Sequence, residues 1–501
     1  MNARRFRNAF AVSLIAWAGS AVALPGAMGR EQNVWPFVVR QKDSTDRVTS
    51  WNGAGPFAFR QPADDGGTVS GFRPLWLQRH NEQGDFRAAF FLYPLFSYTV
   101  DEDTYRWSLF EIVRRWGRRS GAAAPQSIFD QRGEFEVFPL WFSRQGGDPE
   151  MSYRGLFPVY GTIKNKLWFE RLSWTLFPLH VENEKRGAVT TSTPWPIVRV
   201  TRGAAQGWGV WPLYNHVTRP GVSEKTHILW PLGYNVRRFP EADAPAGTAP
   251  RHDIGALPFY TRSTGPGYIN EDFAWPFFGY TDRTGPTQYH EARYFWPFLV
   301  QGRGDNRFVN RWGPFYTRSI VKGYDKTWYA WPVVRRARWA DEGILRTKTQ
   351  VLYFLYHHQR QESIARPGLA AAELTHVWPL WSTWDNGAGR RQWQFLSPFA
   401  VFFPQNEKVR HLWSPLFALA RHDGRAPGDS RTSLLWDAVT WERRREEGRR
   451  EFHLGPLLSV VSAAGTRRVS IGSGLVGLRQ PAGGGWRMFW FDFRGRRQDS
   501  N

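Results

Sequence analysis

Hydrophobic residues in this chain fall into short clusters about twenty residues apart, and most clusters contain an aromatic-proline-aliphatic triplet, here called the box. Three longer intervals each hold an apolar cluster without proline near the midpoint, such as Tyr353-Phe354-Leu355. Counting these, the pattern predicts about 24 tandem units. Clear boxes are Trp35-Pro36-Phe37, Phe138-Pro139-Leu140, Phe157-Pro158-Val159, Phe177-Pro178-Leu179, Trp211-Pro212-Leu213, Trp230-Pro231-Leu232, Trp275-Pro276-Phe277, Trp296-Pro297-Phe298 and Trp331-Pro332-Val333.

Between boxes, polar and apolar residues alternate, and turn residues such as Thr284-Gly285-Pro286 separate the alternating runs. Alternation with a period of two is typical of strands, and glycine-proline pairs favour turns. The chain is 16% aromatic, with 48 glycines and 34 prolines, which favours sheet over long helices. We therefore predict an all-β antiparallel meander in which each unit supplies one strand of about ten to fourteen residues centred on its box. The 28 tryptophans are expected in the core, one per box.

Two architectures are compatible with such a meander. We expect a large outer-membrane-type β-barrel, because short turns, abundant aromatic residues and a final alternation of Phe489, Phe491 and Phe493 are typical of that class. Proline in the middle of a strand removes a ladder hydrogen bond, which argues against this architecture. The alternative is a soluble β-hairpin solenoid in which each box forms the bend between consecutive hairpins.

The N-terminal residues have the order of a secretory signal peptide. Arg4, Arg5 and Arg7 precede an apolar run, and Ala21-Val22-Ala23 supplies small residues for cleavage. The run is shorter than the ~20 residues of a membrane-spanning helix. The predicted organisation is a signal peptide at residues 1–23, a single repeat-built β domain at 24–493, and a basic tail at 494–501. We therefore expect the protein to be exported to the outer membrane, with the periplasm or the extracellular space as alternative locations.

The formal net charge of +22 favours polyanionic partners. For an exported chain these are outer-membrane lipid, lipopolysaccharide or another anionic polymer, and no nucleic-acid motif is recognisable. The densest basic cluster interleaves four guanidinium groups with an indole, an arrangement that can grip phosphates and stack a planar ring. A solvated turn is the alternative interpretation of this cluster. Its residues are Arg114, Arg115, Trp116, Arg118 and Arg119.

No motif predicts catalysis, a cofactor or a metal. The glycines from Gly472 to Gly477 match the spacing of a dinucleotide-binding motif. That motif needs a following helix whose N-terminus binds the phosphate, and the residues after Gly477 do not favour a helix. His357 and His358 have no partner at metal-ligand spacing, and adjacent strand residues point to opposite faces. We therefore predict a non-enzymatic envelope protein, acting as a passive pore or a structural component. The alternative is a periplasmic or secreted repeat protein that binds anionic polysaccharide, lipopolysaccharide or another polyanion.

Overall fold

The computed structural model describes residues 31–43, 47–63, 65–119, 131–146, 149–241, 243–245, 247–285, 287–404 and 406–492. The predicted signal peptide and basic tail lie outside these residues. The described chain contains 45 strands. Two short helices, α1 (Glu407–Leu412) and α2 (Ser414–Phe417), and a 3-10 turn at Pro149–Met151 accompany them. No helix in the described ranges is long and apolar enough to cross a membrane.

The strands are β1 Glu31–Val34, β2 Val38–Lys42, β3 Val48–Gly53, β4 Ala58–Pro62, β5 Thr68–Phe72, β6 Trp76–His80, β7 Phe86–Phe91, β8 Phe96–Val100, β9 Thr104–Leu109, β10 Val113–Arg118, β11 Gln131–Val137, β12 Trp141–Gly146, β13 Tyr153–Leu156, β14 Tyr160–Lys166, β15 Phe169–Thr175, β16 His180–Lys185, β17 Ala188–Ser192, β18 Val198–Gly203, β19 Gln206–Val210, β20 Tyr214–Arg219, β21 Ser223–Ile228, β22 Gly233–Arg238, β23 Arg251–Ala256, β24 Tyr260–Gly265, β25 Tyr268–Phe273, β26 Phe278–Arg283, β27 Tyr289–Phe295, β28 Leu299–Gly304, β29 Arg307–Trp312, β30 Tyr316–Val321, β31 Tyr324–Tyr329, β32 Val334–Asp341, β33 Ile344–Val351, β34 Tyr356–Ser363, β35 Ala372–Val377, β36 Trp381–Asp385, β37 Arg391–Phe395, β38 Ala420–Ala426, β39 Asp429–Leu434, β40 Val439–Arg444, β41 Arg449–Leu454, β42 Leu458–Ala463, β43 Thr466–Ile471, β44 Val476–Gln480 and β45 Arg487–Trp490.

These strands form one antiparallel meander sheet, which confirms the predicted all-β antiparallel class. Neighbours along the chain pair directly, as β20 with β21 and β21 with β22. Within the described residues no backbone ladder joins β1 to β45, so the sheet is not closed.

The predicted strand length and the position of the box were wrong. Trp230-Pro231-Leu232 lies in the turn between β21, which ends at Ile228, and β22, which begins at Gly233. Two six-residue strands, β20 and β21, occupy the interval between the box at Pro212 and the box at Pro231. Proline has no N–H to donate to a ladder, so it is placed at the bend rather than inside a strand.

Consecutive box turns bond directly to one another along one edge of the sheet. The Trp230 amide donates to the carbonyl of Pro212 at 2.7 Å, and the Phe177 amide donates to Pro158 at 2.8 Å. Box rings also meet, with centroids 5.1 Å apart for Phe157 and Phe177. Within the central unit the turns therefore form a continuous column, which we call the box edge.

The chain divides into two compact units. The central unit spans Tyr98–Ala340, and the terminal unit combines the described residues up to Ser97 with the described residues from Asp341 onward. The core of the central unit contains Phe142, Ile163 and Trp174. In the terminal unit, Leu412 of α1 packs into a core that contains Phe59.

A buried ionic network joins the first strand of the terminal unit to β39. The Arg431 guanidinium lies 2.8 Å from a carboxylate oxygen of Glu31 and 2.9 Å from one of Asp437. All three side chains are buried, and the Thr440 hydroxyl also donates to Glu31. Because buried charges need opposite partners, this network fixes where β1 docks.

The two faces of the central sheet differ in burial. In register across four strands, Gly161, Trp174, Val181 and Ser192 lie on one face, which we call the inner face. Trp174, Val181 and Ser192 are all buried there. Side chains alternate along a strand, so the residues between them form the outer face. The side chains of the outer face are the ones exposed to solvent.

Candidate functional site

The box edge of the central unit exposes its aromatic rings. Trp195, Trp211, Trp230, Trp275 and Trp331 are between 38% and 58% exposed. The expectation that box tryptophans are core residues was therefore wrong for these positions. Placement in a turn explains the difference, because a turn ring has neighbours along the column but none beyond the edge.

The apolar residues that complete the boxes are also exposed. Leu213 and Leu232 are about half exposed, and Phe259 and Phe315 are 75% and 78% exposed. Single exposed apolar residues are ordinary, whereas a contiguous series marks a surface that contacts another apolar body. The box edge of the central unit is such a series.

The outer face extends this apolar surface by one row beside the edge. Tyr214 pairs with Ile228 across β20 and β21, and Tyr260 pairs with Phe273 across β24 and β25. Ile228 and Phe273 are about half exposed. The apolar surface is therefore wider than the turns alone.

Exposed arginines lie on the same outer face further from the box edge. On three strands, an arginine follows the first outer-face residue by four positions, which corresponds to about 13 Å at ~3.3 Å per residue. Arg202 stands opposite Val189, while Arg338 stands opposite Asp325. The three pairs are Val198 and Arg202 on β18, Leu299 and Arg303 on β28, and Val334 and Arg338 on β32.

The five residues of the predicted basic cluster do not form one patch. All but Arg119 lie in β10, so the interpretation of the cluster as a turn was wrong. Arg114 faces Glu136 at 3.2 Å, while Arg115 lies on the opposite face beside Trp107 and Phe135. Strand alternation places Trp116 and Arg118 with Arg114, and the Arg119 amide beyond the strand donates to Asp103.

Two histidines of the terminal unit lie opposite each other on neighbouring strands, which the sequence analysis did not predict. His357 on β34 stands directly opposite His376 on β35, with ring centroids 5.8 Å apart. Burial lowers the pKa of both imidazoles to about 4. Among the described residues, no group of three or more His, Cys, Asp or Glu side chains is placed to hold a metal ion. Only the strand register brings these two histidines together.

The sequence matches no protein-family model and no curated protein.

Proposed function

We propose that the protein is an exported, non-enzymatic component of the cell envelope whose central unit binds the surface of an anionic lipid layer, with lipopolysaccharide as the lipid class. The observation that carries the proposal is the pairing of an apolar box edge with outer-face arginines about 13 Å away.

The dimensions of this surface fit the boundary between acyl chains and headgroups. Surface-bound amphipathic elements bury their apolar side by about 5–10 Å, and tryptophan concentrates at that depth. Exposed Phe259 and Phe315 favour hydrocarbon over a sugar, because they offer no hydrogen-bonding group. Arginines further along the strands would then meet phosphates, which their planar guanidinium groups bind with two hydrogen bonds.

A closed barrel acting as a passive pore is the alternative form of the same proposal. Membrane-crossing strands need about 9–11 residues. The described strands have 4–8 residues, as β1 and β32 illustrate. Their shortness supports attachment to the lipid surface over a pore.

Vesicle binding by the chain without its predicted signal peptide tests the proposal. Neutral phosphatidylcholine vesicles are compared with vesicles that also contain lipopolysaccharide, across a range of salt concentrations. Replacing Phe259 and Phe315 with serine should weaken binding by about tenfold or more, since burying a phenylalanine is worth ~1.5–3 kcal/mol. The matched control is Trp168→Ser, because Trp168 is 88% exposed in the turn between β14 and β15, away from the box edge.

Arginine variants test the electrostatic half of the proposal. Replacing Arg202, Arg303 and Arg338 with serine should weaken binding to lipopolysaccharide vesicles and flatten its salt dependence, with little effect on neutral vesicles. Equal binding to both vesicle types, or equal loss in the Trp168→Ser control, would contradict the proposal.

Membrane fractionation distinguishes surface attachment from the pore. A surface-attached chain should be released by urea or alkaline carbonate and should migrate identically with and without boiling. Resistance to extraction together with faster migration of the unheated sample would favour the pore.

A further inference from the structure

The terminal unit contains a cavity of about 470 Å³ beside the turns that join β36 to β37 and β38 to β39. Its charged lining consists of Glu373, Asp385, Arg391, Asp429 and Arg443. None of these residues belongs to the box edge of the central unit. Cavities of this size hold small organic ligands or a few sugar rings.

Strand register explains why Glu373, Asp385, Arg391 and Arg443 converge, while Asp429 joins the lining from the start of β39. Glu373 stands opposite Asp385, and Asp385 stands opposite Arg391. The row continues through Gly424 to Ser430 and Arg443, with one residue from each strand between β35 and β40. All six therefore lie on one face of the sheet.

Glycine within the row makes room for the arginine beside it. A Cβ at Gly424 would lie 2.8 Å from the Cγ of Arg391, so the arginine stem passes directly over the glycine. The absence of a side chain at Gly424 therefore lets the Arg391 stem lie close to the sheet.

The carboxylates are held in place before any ligand arrives. A carboxylate oxygen of Glu373 lies 3.3 Å from the Arg360 guanidinium. One oxygen of Asp385 accepts the Gly387 amide at 2.8 Å, and one of Asp429 accepts the Arg445 amide at 2.7 Å. Such contacts fix the orientation of the groups, which reduces the entropy lost on binding.

Charge and hydrogen-bonding capacity define the ligand. Three carboxylates accept hydrogen bonds and two guanidinium groups donate them, so the lining is close to neutral and slightly acidic. A polyanion would be repelled by the carboxylates. Hydroxyl groups both donate and accept, so a ligand rich in hydroxyls satisfies both kinds of side chain.

An exposed ring lies two residues from the cavity lining along β40. Trp441 is 42% exposed and precedes Arg443 by two residues on β40, so both point from the same face. Phe452 stands directly opposite Trp441 on β41. An exposed indole offers an apolar surface for the C–H side of a sugar ring.

We propose that this cavity binds a neutral glycan, with the carboxylates and arginines bonded to its hydroxyl groups and Trp441 packed against a sugar ring. The proposal is independent of lipid binding, because it involves the other unit and an uncharged ligand.

Isothermal titration of the chain without its predicted signal peptide tests the proposal, with maltohexaose, cellohexaose, laminarihexaose and chitohexaose as probes and dextran sulfate as the anionic comparison. At least one neutral hexasaccharide should bind with a dissociation constant of about 1 mM or lower. Asp385→Asn, Arg391→Gln and Trp441→Ala should each weaken that binding by about tenfold. The Asp385→Asn side chain retains an acceptor for the Gly387 amide, so this variant should keep its fold.

Matched variants in the central unit provide the controls. Trp208→Ala removes an indole that is 56% exposed, and Arg237→Gln removes an exposed guanidinium. Neither should alter glycan binding, and circular dichroism checks that every variant folds. No heat with any neutral hexasaccharide, binding of dextran sulfate alone, or equal weakening by the controls would each overturn the proposal.

Discussion

Replacing Arg431 with methionine should destabilise the terminal unit more than any surface change. The substitution keeps an unbranched stem of similar shape and removes the charge that faces Glu31 and Asp437. Those carboxylates are 1% and 6% exposed. Removing one partner of a buried ion pair costs ~3–5 kcal/mol because the remaining charge stays desolvated.

Remaining hydrogen bonds place the expected loss at the lower end of that range. The Thr440 hydroxyl still donates to Glu31, and the Asn52 amide still donates to Asp437 at 2.8 Å. We therefore expect about 3 kcal/mol. With a urea slope of ~3 kcal/mol per molar, the midpoint of the terminal unit should fall by about 1 M.

The same variant should change the pH dependence of stability. Burial opposes ionisation of Asp437, but Arg431 and the Asn52 hydrogen bond outweigh it and hold the pKa of this carboxyl below its usual value. A lowered carboxyl pKa contributes stability that is present above the unfolded pKa of ~3.9 and is lost as the pH falls through the folded value. Without Arg431 the carboxyl should protonate more readily, so the deficit of the variant should shrink between pH ~7 and pH ~5.

Urea titration followed by circular dichroism at both pH values measures these effects, with Arg303→Met as the exposed control. The control should stay within about 0.5 kcal/mol of the parent. A deficit below about 1 kcal/mol for Arg431→Met, or one that is the same at both pH values, would refute the assigned role of the network.

Three further predictions concern burial and close packing. Burial lowers the pKa of His376 to about 4, so below pH ~6.5 the unfolded chain binds a proton that the folded chain does not, and the free energy of unfolding should fall between pH ~6.5 and ~4. In acid titrations, His376→Phe should make this decrease in the free energy of unfolding smaller by about 3 kcal/mol. Trp174→Ala should cost ~3–5 kcal/mol in urea unfolding of the central unit, since the indole is buried against Phe142 and Phe157. Gly161→Ala should lower the melting temperature, because its Cβ would lie 2.2 Å from the Cα of Gly155 in the neighbouring strand, and an unchanged melting curve would contradict that contact.

Local pattern was sufficient for the fold class but not for the strand boundaries. Alternation and turn residues predicted the antiparallel meander, because both act over a few neighbouring residues. Two six-residue strands around a box such as Trp230-Pro231-Leu232 have nearly the same alternation as one long strand through it. The pattern alone therefore could not decide whether the proline interrupts a strand or forms a bend.

Spacing along the sequence did not predict which charged side chains lie together. Arg114, Arg115 and Arg118 are close in sequence, yet strand alternation divides them between two faces. The row from Glu373 to Arg443 shows the reverse, since its members are far apart in sequence and only the register of six strands aligns them.

The sequence by itself determined that the chain forms antiparallel sheet, that proline-containing boxes recur along it, and that it carries a large positive charge. These properties follow from backbone preferences and composition, which need no distant contact. Only the tertiary structure decided which rings are exposed at the box edge, which histidines face each other and which charges are buried at Arg431. Each of these depends on which residues of distant segments become neighbours, and that is fixed by strand register and burial across the whole sheet.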